Sequence, residues 1–192
     1  MDDIIIEKTI NNLDIDKRKK YIVVGMSDGI YYAFEFARQY PKLVKELISL
    51  DGSWITRKLC KQRLTNWRNK GKNVKLIKTQ KELNILMDEI INGEELFSKI
   101  MDHTRYDHTI KCIRNSYQDI IKKIKFTLFR DFNGDVKNEI DKQFNDYALL
   151  EHEILSKVSN KYQIFWQINA GHALWFNETY KNQIVDYIRS HI

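Results

Sequence analysis

Apolar positions change their spacing several times along the chain, and each change marks a predicted element. Over residues 2–18, Ile4, Ile5, Thr9, Leu13 and Asp16 follow a partial 3.6-residue period, which predicts a helix. It runs into the basic cluster Lys17-Arg18-Lys19-Lys20, whose cations suit the negative end of a helix dipole. Tyr21-Ile22-Val23-Val24 is a short β-branched run, the mark of a buried strand. It leads directly into Gly25-Met26-Ser27-Asp28-Gly29. From Ile30 to Tyr40 the pattern is helical, with Ala33, Phe34 and Ala37 on one face. Pro41 ends that helix, because the residue before a proline is pushed out of the α region. Leu47-Ile48-Ser49-Leu50 predicts a second buried strand, closed by Asp51-Gly52. Strand, tight turn, helix and strand in that order make a right-handed parallel crossover.

Residues 53–120 carry no strand pattern. Leu83, Leu86, Ile90 and Ile91 share one helical face, Asn92-Gly93 breaks it, and Tyr106 to Lys123 predicts a further helix. Between Arg57 and Lys78 stand nine basic residues and no acidic one. The strand pattern resumes at Phe126-Thr127-Leu128-Phe129, followed by a polar loop from Arg130 to Asn138 and a helix from Ile140 to Val158. Tyr162 to Ile168 predicts a fourth strand, Ala170-Gly171-His172 a loop, and Tyr180 to His191 a closing helix with Ile184, Val185 and Ile188 inward. The expected fold class is α/β. Residues 1–52 and 121–192 form a parallel four-strand core with helices on both faces, and residues 53–120 a helical insertion.

Composition narrows the classes. At 192 residues the chain suits one domain with an insertion, long enough to bury about 70% of its unfolded surface. The mean hydropathy of −0.52, and the lack of any apolar run near the ~18 residues of a membrane span, argue against an integral membrane protein. Met1 to Asn12 is acidic with a single short Ile run, so it does not read as a secretory signal. Cys60 and Cys112 are the only cysteines, too few for a disulfide framework or a zinc site; a reducing, cytoplasmic setting is expected. The formal charge of +6 permits an anionic partner without requiring one. Richness in Ile, Asn and Lys, residues with A/T-rich codons, accounts for much of it.

Gly25-Met26-Ser27-Asp28-Gly29 fits G-x-S-x-G between a strand and a helix, the setting of a nucleophile elbow. So sharp a turn strains the serine backbone and leaves no room for bulk two residues to either side, which is where the glycines stand. The helix that follows aims its positive end at Ser27, and the Asp28 amide can hold an oxyanion. A serine hydroxyl needs a base. His172, after Gly171 and behind the last strand, is the candidate; His103, His108, His152 and His191 fall on predicted helices or at the terminus and are read as surface residues.

With these residues in place, the chain resembles the C-terminal part of an α/β-hydrolase of the small esterase and proline-iminopeptidase type. YIVVGMSDGIYYAFEFARQYP, ELISLDGS, IKFTLFRDFNGD and INAGHALWFNETYKNQIVDYI carry the likeness. The resemblance implies a half-sheet of that fold, a helical lid at 53–120 and a Ser-His-Asp triad in the chain order nucleophile, acid, histidine. The acid should then follow the third strand. Asp135, just after Gly134, is preferred, with Asp131 as the alternative and Asp141 behind both. The implied activity is that of a serine hydrolase on a small-molecule ester or amide, with no metal and no cofactor.

The chain also departs from the family. The strands that precede the nucleophile strand in the full fold are missing, together with the HG-type loop that supplies a second oxyanion donor. The strand Tyr21–Val24 becomes an edge, open to self-association or to a complementing N-terminal half. The alternative function is therefore a truncated, catalytically weak or inactive hydrolase-fold protein that serves as a binding or interaction module. Nucleic-acid binding through Arg57 to Lys78 with Trp54 and Trp67 is not expected, since no recognised motif frames them, and no membrane partner is expected.

Overall fold

A computed structural model describes residues 12–13, 15–52, 55–69, 79, 81–82, 84–85, 93–172 and 174–192, with backbone alone for 93–100 and 175. Four strands, β1 (Tyr21–Met26), β2 (Val44–Leu50), β3 (Lys125–Phe132) and β4 (Tyr162–Ile168), form one sheet in the order β1-β2-β3-β4. Every neighbouring pair is parallel. The helices are α1 (Gly29–Gln39), α2 (Arg57–Asn69), α3 (Gly93–Asn115), α4 (Tyr117–Ile121), α5 (Glu139–Val158) and α6 (Glu178–Arg189). The protein thus has the expected α/β class and the expected strand order, with a helical segment between β2 and β3.

Side-chain alternation along the strands builds two cores. On one face Val23, Leu47, Phe126, Leu128 and Ile164 meet α1 through Ile30, Tyr31 and Phe34, α4 through Tyr117 and Ile121, and α5 through Leu155. On the other face Ile22, Ile48, Phe129 and Phe165 meet Ile184, Tyr187 and Ile188 of α6. Helices therefore cover both faces, and the middles of β2 and β3, Leu47 to Leu50 and Phe126 to Phe129, are largely buried on both, with Ser49 and Thr127 the only polar residues in those stretches.

Several boundaries differ from the sequence expectation. β2 begins at Val44, ahead of Leu47, and β3 runs to Phe132 instead of ending at Phe129. Arg130 and Asp131 are thus strand residues, paired with Trp166 and Gln167 of β4; the pairing with β2 ends at Phe129, so β4 alone carries the ladder through the two charged residues. The expected helix over 106–123 starts at Gly93 and breaks at Ser116, which takes a left-handed φ of 48°. Residues 15–20 form a turn, not the end of a helix over 2–18, with the Lys19 amide donating to the Asp16 carbonyl at 3.0 Å. The rest of that helix, the face of Leu83, Leu86, Ile90 and Ile91, Trp54 and the basic run beyond Asn69 lie largely or wholly outside the described residues.

His108 is not on the surface: its ring is buried, stacked on Tyr31 at 4.4 Å and edge-on to Tyr32 at 5.0 Å. That face of α3 packs against α1. His103, His152 and His191 are half-buried. Cys60 and Cys112 are buried and form no disulfide, and the Cys112 thiol donates to the Ile55 carbonyl at 3.1 Å. Among the described residues no helix is long and apolar enough to cross a membrane.

Candidate active site

Register brings the site together. Met26 pairs with Leu50, and Leu50 with Phe129, so the next residue of each strand, Ser27, Asp51 and Arg130, falls in one row at the carboxyl end of the sheet. Backbone bonds extend the ladder: the Ser27 amide donates to Leu50 O at 2.9 Å and the Asp51 amide to Phe129 O at 2.7 Å. Adjacent strands lie about 4.8 Å apart, which places Asp51 beside Ser27 with no long loop required. Open parallel sheets gather their sites at this end.

Ser27 has a left-handed φ of 49°, as does Asp51 at 50°. Non-glycine residues in this region cost about 1–2 kcal/mol each and persist where the surroundings hold them. The Ser27 turn packs tightly on one side. A Cβ on Gly25 would sit 2.5 Å from Ile30 Cα, whereas a Cβ on Gly29 would meet nothing within 4 Å. Crowding explains the first glycine of the motif and not the second.

His172 Nε2 lies 2.8 Å from Ser27 Oγ, and His172 Nδ1 lies 2.5 Å from Asp51 Oδ2. The Asp51 carboxylate is fully buried, while the His172 ring is 59% exposed. The other oxygen, Asp51 Oδ1, accepts from Arg130 Nη1 at 3.1 Å and from the Asp131 amide at 3.2 Å. Arg130 is itself buried, with its guanidinium over the Phe144 ring at 4.6 Å. The hydrogen bond to Asp51 raises the His172 imidazolium above its ordinary range; burial and the Arg130 charge oppose that, and the Asp51 and Asp28 charges add to it.

Asp135, the expected acid, does not reach His172. It stands exposed on the loop after β3, and the Nδ1 side of the ring is taken by Asp51. The extra length of β3 carries this loop past the sheet. Asn145 ties it at Asn133, through bonds of 3.0 and 2.9 Å, and Asn169 ties it at Gly134 at 2.7 Å. Asp131, the alternative, serves the site indirectly: its Oδ1 accepts from the Gly171 amide at 3.0 Å, next to His172. Burial raises the Asp131 carboxyl above its usual range. Asp141 belongs to the start of α5, where its amide donates to the Asn138 cap at 2.9 Å. Asp51 looked like a turn residue closing a strand; the signal that could have found it is an acid at the end of a buried strand adjacent to the serine strand.

Above the row, Arg105 of α3 donates to Asp28 Oδ2 at 2.8 Å, so the helical segment between β2 and β3 comes down beside Ser27. No partner for the Asp28 amide occurs among the described residues. Trp67, part of the basic stretch, stacks on Tyr106 at 5.8 Å.

No family model matches the chain, and neither does any curated protein. Solved structures do. MenH from S. aureus is 13% identical with a TM-score of 0.52, the match covering 98% of this chain and 75% of that one. The N-acyl homoserine lactonase AidH, complexed with N-hexanoyl homoserine, is 15% identical with a TM-score of 0.52, covering 98% of this chain and 68% of that one. These likenesses lie in the fold, which is the α/β-hydrolase fold.

Proposed function

We propose that the protein is a serine hydrolase that cleaves an ester or small amide bond, with Ser27, His172 and Asp51 as its triad. The observation that carries this is the continuous relay from Ser27 Oγ to His172 Nε2 at 2.8 Å and from His172 Nδ1 to Asp51 Oδ2 at 2.5 Å. Ser27 Oγ attacks the carbonyl carbon as its proton passes to His172 Nε2. Asp51 keeps the Nδ1–H tautomer and stabilises the imidazolium. The Asp28 amide, at the start of α1, donates to the developing oxyanion. Collapse breaks the bond to the leaving group, which takes the proton from His172; water, deprotonated by the same ring, then releases the acyl group from Ser27. Helices α2 and α3 act as the lid, a role supported by the Arg105–Asp28 contact beside Ser27.

A fluorophosphonate probe, which reacts only with an activated serine, tests this. We expect covalent labelling of the protein and none of Ser27→Ala; labelling of the variant at the same rate would refute the triad. The second reading, a weak or inactive hydrolase-fold binding module, is favoured by one observation: the Asp28 amide is the one oxyanion donor identified among the described residues. Removal of a donor costs about 10²–10³ in rate, so slow turnover of short p-nitrophenyl esters is expected even where labelling succeeds.

A further inference from the structure

At the opposite end of the sheet from Ser27, the amino ends of β2, β3 and β4 surround a cleft of about 560 Å³. Five lysines line it, Lys20, Lys45, Lys123, Lys125 and Lys161, with no acidic residue among the lining side chains. One carboxylate stands behind them: Glu46, 1% exposed, lies 3.4 Å from Lys125 Nζ. Glu46 is already engaged, accepting from Thr127 Oγ1 at 2.5 Å and from the Tyr187 hydroxyl at 2.6 Å. Three of the ammonium groups are held by protein contacts. Lys125 meets His191 Nε2 at 2.9 Å, Lys45 donates to the His191 carbonyl, and Lys161 donates to the Lys123 carbonyl at 3.4 Å. Against Glu46, the one carboxylate paired with these lysines among the described residues, the five lysines leave an excess of positive charge at the cleft.

We propose that this cleft binds a small ligand carrying two or more phosphate groups. Its volume falls in the range of about 300–1,000 Å³ typical of small-molecule sites. The lining holds lysines and no arginine, so its cations act as point charges, a mode lysine uses for phosphate, and recognition follows the density of negative charge on the ligand. Single exposed ion pairs are weak, about 0–1 kcal/mol, so a ligand must meet several ammonium groups at once. Selection then follows the number of charges on the ligand. The site is separate from Ser27, His172 and Asp51 and does not depend on the hydrolase reading.

Calorimetric titration of the full chain with sodium tripolyphosphate tests it, alongside pyrophosphate, orthophosphate and citrate. We expect saturable 1:1 binding that tightens from orthophosphate to tripolyphosphate and weakens as salt rises from about 50 to 150 mM. The double variant Lys20→Glu/Lys123→Glu should weaken it at least tenfold. Neither of these lysines holds Glu46, and a thermal melt confirms that the variant is folded; Lys161→Gln, with a several-fold loss, is the milder second variant. Fluorophosphonate labelling of Ser27 should be unchanged throughout. Absence of saturable binding, equal binding by the folded double variant, or tighter binding of citrate than of tripolyphosphate would each overturn the proposal.

Discussion

Asp51 holds a ring nitrogen with one oxygen and a buried guanidinium with the other. Asp51→Asn is expected to slow fluorophosphonate labelling by about 10⁴-fold, the cost of losing a triad acid, whereas Asp135→Asn should label at the wild-type rate. The reverse outcome would return the acid to the loop after β3. The pH profile follows from the raised imidazolium of His172, whose first cause is the bond to Asp51. In the proposed mechanism the working base is the neutral ring, so labelling should rise with pH through a value above the ordinary ~6.5 of histidine. Since the folded state favours the proton, the pair contributes stability that is fully present below that ordinary value and is lost as pH climbs through the raised one. Arg130 opposes the imidazolium. Arg130→Met should therefore move the rise in labelling to higher pH, and Arg130→Lys, which keeps the charge, should move it less. An unshifted profile in a folded Arg130→Met would remove Arg130 from the electrostatics of the site.

The strand–turn–helix unit of β1 and α1 has an asymmetric tolerance. Gly25→Ala drives a Cβ against the Ile30 backbone, overpacking that costs about 1–3 kcal/mol or more, or roughly 2–4 °C of melting temperature per kcal/mol at this size. Gly29→Ala meets open space and should melt at or above the wild type. Equal melting of the two variants would show that the turn relaxes freely. The four strands were legible in the sequence because each holds a short run dominated by apolar, β-branched or aromatic residues, such as Leu47 to Leu50 and Phe126 to Phe129, and because Gly-rich or polar stretches bound each run. The end of β3 was not, since Arg130-Asp131 has the composition of a loop; its place in the sheet depends on the buried partner that Arg130 finds in Asp51. Ser27 and His172 were legible from motif and position. Asp51 was obscured because Asp-Gly commonly closes a strand, and its meaning rests on a cross-strand register that local spacing does not encode.

At the scale of the whole molecule, β1 is an outer strand among the described residues, and its Val24 and Met26 are each 44% exposed. An apolar edge with unpaired backbone groups is a template for another strand. We expect concentration-dependent self-association in light scattering after size exclusion, reduced by Val24→Lys; a monomer at every concentration would mean that the edge is blunted. The sheet has a further property: its spatial order is its chain order. Each new strand docks on the one made just before it, so during synthesis the sheet can grow in one direction without waiting for a distant segment. Ser27 and Asp51 follow the first two strands, yet His172 arrives only behind the fourth. On the proposed mechanism, a nascent chain halted before Tyr162 would hold Ser27 without its base, inert toward the fluorophosphonate, so the onset of labelling during translation would time the docking of the last strand.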